Sequence, residues 1–332
     1  MHMGDFMLSP AVGGTMMTAA VGTAAISIKK IRDMDEKKIP LMGVMSAFVF
    51  AAQMINFTIP GTGSSGHLAG AILLSVLLGP YAGFLSIAAI LLIQALFFAD
   101  GGLLAYGCNV INIGLFACFI AYPLIYRTIT KKGLTRTRLM TGCILASVVA
   151  LQLGAFSVVI QTLLSGKTEL PFTQFALAMQ GIHLAIGVVE GVVTAAVVSF
   201  VWKVKPDIIS AESSATNKKQ GYRSVLVGFL VAALLLGGGV SLFASANPDG
   251  LEWSIGKVAG NTELKGETQV HQALEKAQEE IAVLPDYSFK KQENINESTG
   301  TIVSGLVGSG ITIGLVVLAG YLIKVMKRKK AN

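Results

Sequence analysis

Charge is scarce in this chain. Only 14% of its 332 residues are Asp, Glu, Lys or Arg, against 53% hydrophobic residues and a mean hydropathy of +0.66. That balance excludes an ordinary soluble domain and indicates an integral membrane protein. Cysteine is nearly absent as well. Cys108, Cys118 and Cys143 lie inside apolar stretches at spacings that match no disulfide or zinc pattern, so they read as small buried hydrophobes. No G-x-x-x-x-G-K-[ST] run occurs, which excludes a P-loop ATP site, and no H-E-x-x-H occurs, which argues against an intramembrane zinc protease. No Ser/His/Asp set stands out, and no internal repeat has solenoid or transporter spacing. Residues 1–9 lack the basic stretch of a signal peptide, and no cleavage site follows the first apolar span. The chain reads as a non-enzyme of the membrane.

What is abundant is apolar sequence in blocks long enough to cross ~30 Å of hydrocarbon. They fall at roughly 10–28, 40–58, 80–98, 103–126, 139–165, 172–202, 222–245 and 301–324, with a shorter apolar segment at 68–78. Gly79-Pro80 cuts that short segment from the next, because proline lacks an N–H and disfavours helix at the residue before it. The pattern predicts an all-α polytopic protein with seven core segments plus two more. Five Lys/Arg lie in each of 29–38, 127–138, 203–223 and 324–330, all on one side of this topology. By the positive-inside rule that side is cytoplasmic, so the net charge of +7 is a topology signal and not a nucleic-acid footprint. The N-terminus, 59–67, 99–102, 166–171 and 246–300 are then outside, the C-terminus inside, and the inner membrane is the expected location. A polar, Ser/Lys-rich stretch at 205–222 separates a module at 1–204 from one at 223–332. The outer segment 246–300 carries ten Asp/Glu against five Lys; within it 275–284 is helix-compatible and 294–300 reads as a loop.

The start Met1-His2-Met3 can carry chemistry. A free terminal amine, the His2 amide nitrogen and the His2 Nδ1 can close a five- and a six-membered chelate ring around one ion, filling three corners of a square plane. That field suits Ni(II) or Cu(II) better than Zn(II). His2 is otherwise an incidental terminal residue. The loop Gly61-Thr62-Gly63-Ser64-Ser65-Gly66-His67 has three glycines for tight turns and brings a second histidine to the predicted outer face, where it offers the fourth nitrogen. Asp100 lies in another outer turn. Asn109 and Asn112 share a helical face and either line a pocket or bond between helices. His183 and Glu190 are seven residues apart, roughly 10 Å along a helix axis, too far to share a small ion easily. They are an intramembrane ionisable pair whose role is functional or structural. Ser65, Asp100, Asn109, Asn112, His183 and Glu190 are therefore candidates for lining the pocket or supporting its ligands.

The start Met1-His2-Met3, the loop at 61–80, the run QALFFADGGLLAYGCNVINIG (94–114) and HLAIGVVEG (183–191) together resemble the nickel/cobalt-uptake substrate-binding (S) components of energy-coupling-factor (ECF) transporters. Pro248-Asp249-Gly250-Leu251-Glu252 resembles the PDGLE domain of their small accessory subunit, so the chain looks like a fusion of the two. The resemblance implies that Met1, His2 and His67 hold the metal. It implies no cofactor beyond the transported ion, Ni(II) before Co(II). It also implies ATPase subunits and a transmembrane scaffold (T) subunit as partners within the lipid bilayer. The scaffold is expected against small residues on an early helix, for which Ala20/Ala24 and Ala47/Ala51 have the spacing. Two other readings stay open: a non-transporting membrane metal sensor, and an ion-coupled secondary carrier with His183 and Glu190 as proton relay.

Overall fold

Each apolar block becomes a helix, and the punctuation between blocks decides where each one stops. The computed structural model describes residues 2–32, 36–209, 223–260, 268–290 and 297–331. Met1, residues 210–222 of the expected linker and residues 294–296 of the expected loop lie outside these. In the first module the helices are α1 (Pro10–Ile31), α2 (Ile39–Gln53), α3 (Ala71–Leu78), α4 (Pro80–Phe97), α5 (Tyr106–Thr130), α6 (Arg136–Ser165) and α7 (Phe172–Val204). In the second they are α8 (Arg223–Gly238), α9 (Gly250–Ala259), α10 (Gln269–Ile281) and α11 (Glu297–Ala331). The all-α polytopic class is borne out. Gly79 takes a left-handed φ of 87° between α3 and α4, and Pro80 opens α4, where its missing N–H costs nothing.

Two spans are shorter than the sequence suggests. Among the described residues, α1, α4, α5, α6, α7 and most of α11 are long and apolar enough to cross a membrane, whereas α2 and α8 have 15 and 16 residues. At 1.5 Å per residue these reach only about 23 Å. α2 stops at Gln53, whose side chain turns aside to donate to the Ala69 carbonyl, and the chain enters a hairpin, β1 (Phe57–Ile59) paired antiparallel with β2 (Ser64–Gly66). α8 ends at Gly238. Residues 297–300, expected as loop, are the first turn of α11, and the outer helix α10 runs 269–281, not 275–284.

α6 and α7 pack along one another, α5 packs on α6, and both long helices of the second module lie against α2. α8 crosses α11 where Gly237 meets Gly305. A Cβ on Gly305 would stand 2.2 Å from the Gly237 carbonyl oxygen, so only glycine permits the approach. Ala47 and Ala51 are fully buried inside the chain, so that pair offers no free small-residue face to a scaffold subunit; of the other pair Ala20 is 3% exposed and Ala24 is partly buried.

Candidate metal centre

The amino-terminal segment is threaded into the protein. Met3, Met7 and Leu8 are fully buried, each contributing about 1.5–3 kcal/mol as an upper estimate. Asn109 clamps the backbone immediately after His2: the Met3 N–H donates to its Oδ1 at 2.8 Å and its Nδ2 donates to the Met3 carbonyl at 3.2 Å. The Gly102 N–H reaches the same carbonyl at 3.0 Å. One turn along α5, Asn112 pairs with Gln161 in both directions and touches the Met3 sulfur at 3.5 Å. Asp5 accepts from the Ala105 N–H at 2.9 Å. This network anchors the backbone on the C-terminal side of His2.

His67 arrives from the hairpin. Gly61 and Gly63 take φ of 76° and 74°, which a side chain would resist, and they turn the chain so that β2 delivers His67 beside His2. The two imidazole rings are stacked, with centroids 5.0 Å apart and planes 7° from parallel, and their side chains are 9% and 10% exposed. Behind His67 the Glu190 carboxylate accepts the Ala69 and Gly70 N–H groups at 2.8 and 3.1 Å, fixing the start of α3.

Carboxylates flank the pair. His2 Nδ1 lies 3.3 Å from Asp100 Oδ1, while Asp100 Oδ2 accepts from the Tyr287 hydroxyl. His67 Nε2 lies 3.9 Å from Asp249 Oδ2. Burial lowers the pKa of both rings, that of His67 to about 3, so they are neutral at physiological pH and their lone pairs are available. The His2–Asp100 contact is then a hydrogen bond from a neutral ring, and the charged ion pair that its distance alone would suggest does not form. Among the described residues no three His, Cys, Asp or Glu side chains converge tightly enough to grip an ion. Two imidazoles plus backbone nitrogen donors need no such cluster.

The second module packs directly on this site. The Ser65 N–H donates to the Pro248 carbonyl at 2.8 Å and its hydroxyl to the Asn247 carbonyl at 2.8 Å. Trp253 Nε1 donates to the Thr62 carbonyl at 2.9 Å, and His271 Nε2 to that of Leu8 at 2.8 Å. The chain after α10 bonds to the carbonyls of Phe97 and Phe98 at the end of α4.

A family match decides the identity of the protein. Residues 2–208 match the CbiM family, described as the cobalt uptake substrate-specific transmembrane region, and residues 223–325 match the PDGLE domain. The chain belongs to the CbiM family. It is a nickel/cobalt-uptake S component fused to a PDGLE accessory domain. A protein of Archaeoglobus fulgidus, provisionally named fused nickel transport protein NikMN, is 31% identical over 320 residues, 95% of this chain and 96% of that one. The fused nickel transport protein NikMN of Rhodobacter capsulatus is 32% identical over 254 residues, covering 71% of this chain and 72% of its own. A solved structure described as a transition metal transporter superposes with a TM-score of 0.54 at 35% identity, over 61% of this chain and 93% of that chain.

In this S component the residues singled out by sequence divide into three groups. His2, His67 and Asp100 line one cavity. Asn109 and Asn112 hold Met3 instead of lining it. Ser65 faces away to grip the accessory segment, Glu190 is spent on backbone N–H groups, and the Nδ1 of His183 is spent on the Met179 carbonyl at 2.8 Å. Asp249, His271 and Tyr287 were not legible as site residues, because each meets its partner across more than 180 residues of chain. One local signal was present. D-G-L-E is a capping box, and Asp249 does accept the Leu251 and Glu252 N–H groups while Glu252 accepts from Asp249.

Proposed function

We propose that this protein captures Ni(II) at the outer membrane face, with Co(II) as competing cargo, and passes it to an ECF transporter. Ligation is by the Met1 amine, the His2 amide and imidazole, and His67. The stacked and buried His2/His67 pair carries this reading. With metal–nitrogen bonds of about 2 Å, two imidazoles bound cis on one ion have centroids roughly 4.5 Å apart, close to the spacing of these rings in the metal-free chain. The pair is thus already within reach of one ion, and capture requires His2 Nδ1 to exchange Asp100 for the ion and the stacked rings to turn, since no ion lies in the planes of two parallel, stacked rings. Nitrogen donors favour a late first-row dication over Mg(II) or Ca(II), which take oxygen. ATP hydrolysis belongs to separate ATPase subunits, coupled through a scaffold subunit. The basic segments support an outward-facing site and a cytoplasmic C-terminus. In domain terms, 1–204 binds, 205–222 links and 223–332 assists. A proton relay through His183 and Glu190 finds no support, since both side chains serve backbone groups. One added residue before Met1 should remove the chelate. Calorimetry on the folded variant should show nickel affinity reduced at least a hundredfold; native affinity would rule the chelate out.

A further inference from the structure

Beside the stacked imidazoles lies a cavity of about 680 Å³ built by both modules. The carboxylates of Asp5, Asp100, Asp249, Glu252, Glu275 and Asp286 line it, and among the described residues no Lys or Arg does. Acidity alone defines no site. The hydrogen bonds narrow it, because the buried atoms here that lack a partner are acceptors. His271, 3% exposed, donates through Nε2 to the Leu8 carbonyl, which leaves Nδ1 as a bare lone pair with no partner. Asp5 spends Oδ1 on the Ala105 N–H and leaves Oδ2 buried without a donor. His2, with Nδ1 turned to Asp100, leaves Nε2 in the same state. Buried acceptors without donors are unfavourable. The unpartnered buried atoms of this wall are acceptors, and they call for a ligand that presents donors.

A hydrated divalent cation is such a ligand, since every water it carries points its hydrogens outward. Six waters at about 30 Å³ each need roughly 180 Å³, which the cavity accommodates. Among the described residues no three His, Cys, Asp or Glu side chains converge closely enough for direct ligation, so the ion keeps its water shell here. We propose that this cavity is a waiting site, where a divalent cation is held by outer-sphere contacts to Asp5, His271 and Glu275 before it sheds water into the chelate. The inference rests on the metal-capture reading and adds a step ahead of it. It also gives the second module a chemical task, because His271 and Glu275 lie on α10. Clefts lined by one sign of charge raise association rates by about 10–10³-fold in a salt-dependent way.

The test uses the full-length protein in detergent and follows square-planar nickel absorption after rapid mixing with aqueous nickel chloride. A waiting site makes the loading rate saturate as nickel concentration rises. Glu275→Gln, at an exposed position, and His271→Gln, which retains an amide donor toward Leu8, should raise the half-saturating concentration at least threefold and leave the final absorption unchanged. Hexaamminecobalt(III), which cannot exchange its ligands and so cannot enter the chelate, should slow loading competitively at constant ionic strength, and less so in the variants. A strictly linear rate up to millimolar nickel, or half-saturation unmoved in both variants, would overturn the waiting site while the final absorption keeps the chelate standing. If the wild type never develops the absorption, the chelate reading falls and this inference with it.

Discussion

At the residue scale the proposed metal site rests on two buried histidines whose pKa burial lowers. His67→Ala should leave a three-donor site open to water. Its nickel affinity should fall at least ten- to a hundredfold, the range already seen when mere supports of a metal ligand are removed. The yellow, diamagnetic spectrum expected of a square-planar nickel complex should change as well. Unaltered affinity and spectrum would remove His67 from the site. The lowered pKa carries a separate consequence in the metal-free chain. The unfolded chain protonates this ring below its ordinary pKa of 6.5, whereas the folded chain resists protonation down to about 3. The docked arrangement is therefore favoured above pH 6.5 and loses stability as pH falls through that window. Amide exchange across residues 61–70, corrected for intrinsic rates, should show less protection at pH 5 than at pH 7. Greater protection at pH 5 would reverse the sign and contradict the neutral ring.

At the element scale, α7 acts as a common floor for the two segments that bring His67 and Asp249 together. A Cβ on Gly66 would stand 2.6 Å from Ile186, and a Cβ on Gly250 would stand 2.9 Å from the same side chain and 3.1 Å from His183. The residues flanking the His67–Asp249 contact thus both rest on Ile186, and a side chain at either would force Ile186 to move. Gly250→Ala should lift α9 from α7, draw Asp249 away from His67 and break the Ser65 contacts at Asn247 and Pro248. Nickel uptake in cells should fall severalfold at unchanged membrane abundance. A disulfide engineered between the Ser65 and Asn247 positions should form less readily in that variant, and equal cross-linking would show that α9 had not moved. Much of this element level could be read in the sequence. Gly79-Pro80 marks its turn, and the apolar blocks mark their helices, because those signals act over a few residues. The early end of α2 could not be read. It depends on Gln53 reaching Ala69 and on the hairpin closing onto the second module, contacts that local hydrophobicity does not record. The same distance in sequence hides Asp249, whose capping box is visible locally while its meeting with His67 is not.

At the scale of the whole molecule, binding and delivery should be separable. Every proposed ligand lies in residues 1–67, and the seven helices of the first module satisfy their own backbone groups within a bilayer. The second module contributes the lid contacts at Thr62, Ser65 and Leu8, along with one side of the acidic cavity. Expressing residues 1–205 alone removes α8 to α11 and exposes the face of α2 that they cover, a face lipid can solvate. The truncated protein should therefore reach the same equilibrium nickel content as the full chain. It should load more slowly, because Asp249, His271 and Glu275 are gone and the Gly/Ser loop has lost its partners. Uptake in cells that supply ATPase and scaffold subunits should fall with the loading rate. Two results would count against this division. Lost equilibrium binding in a folded truncation would make the module part of the metal site, and full uptake would make it dispensable.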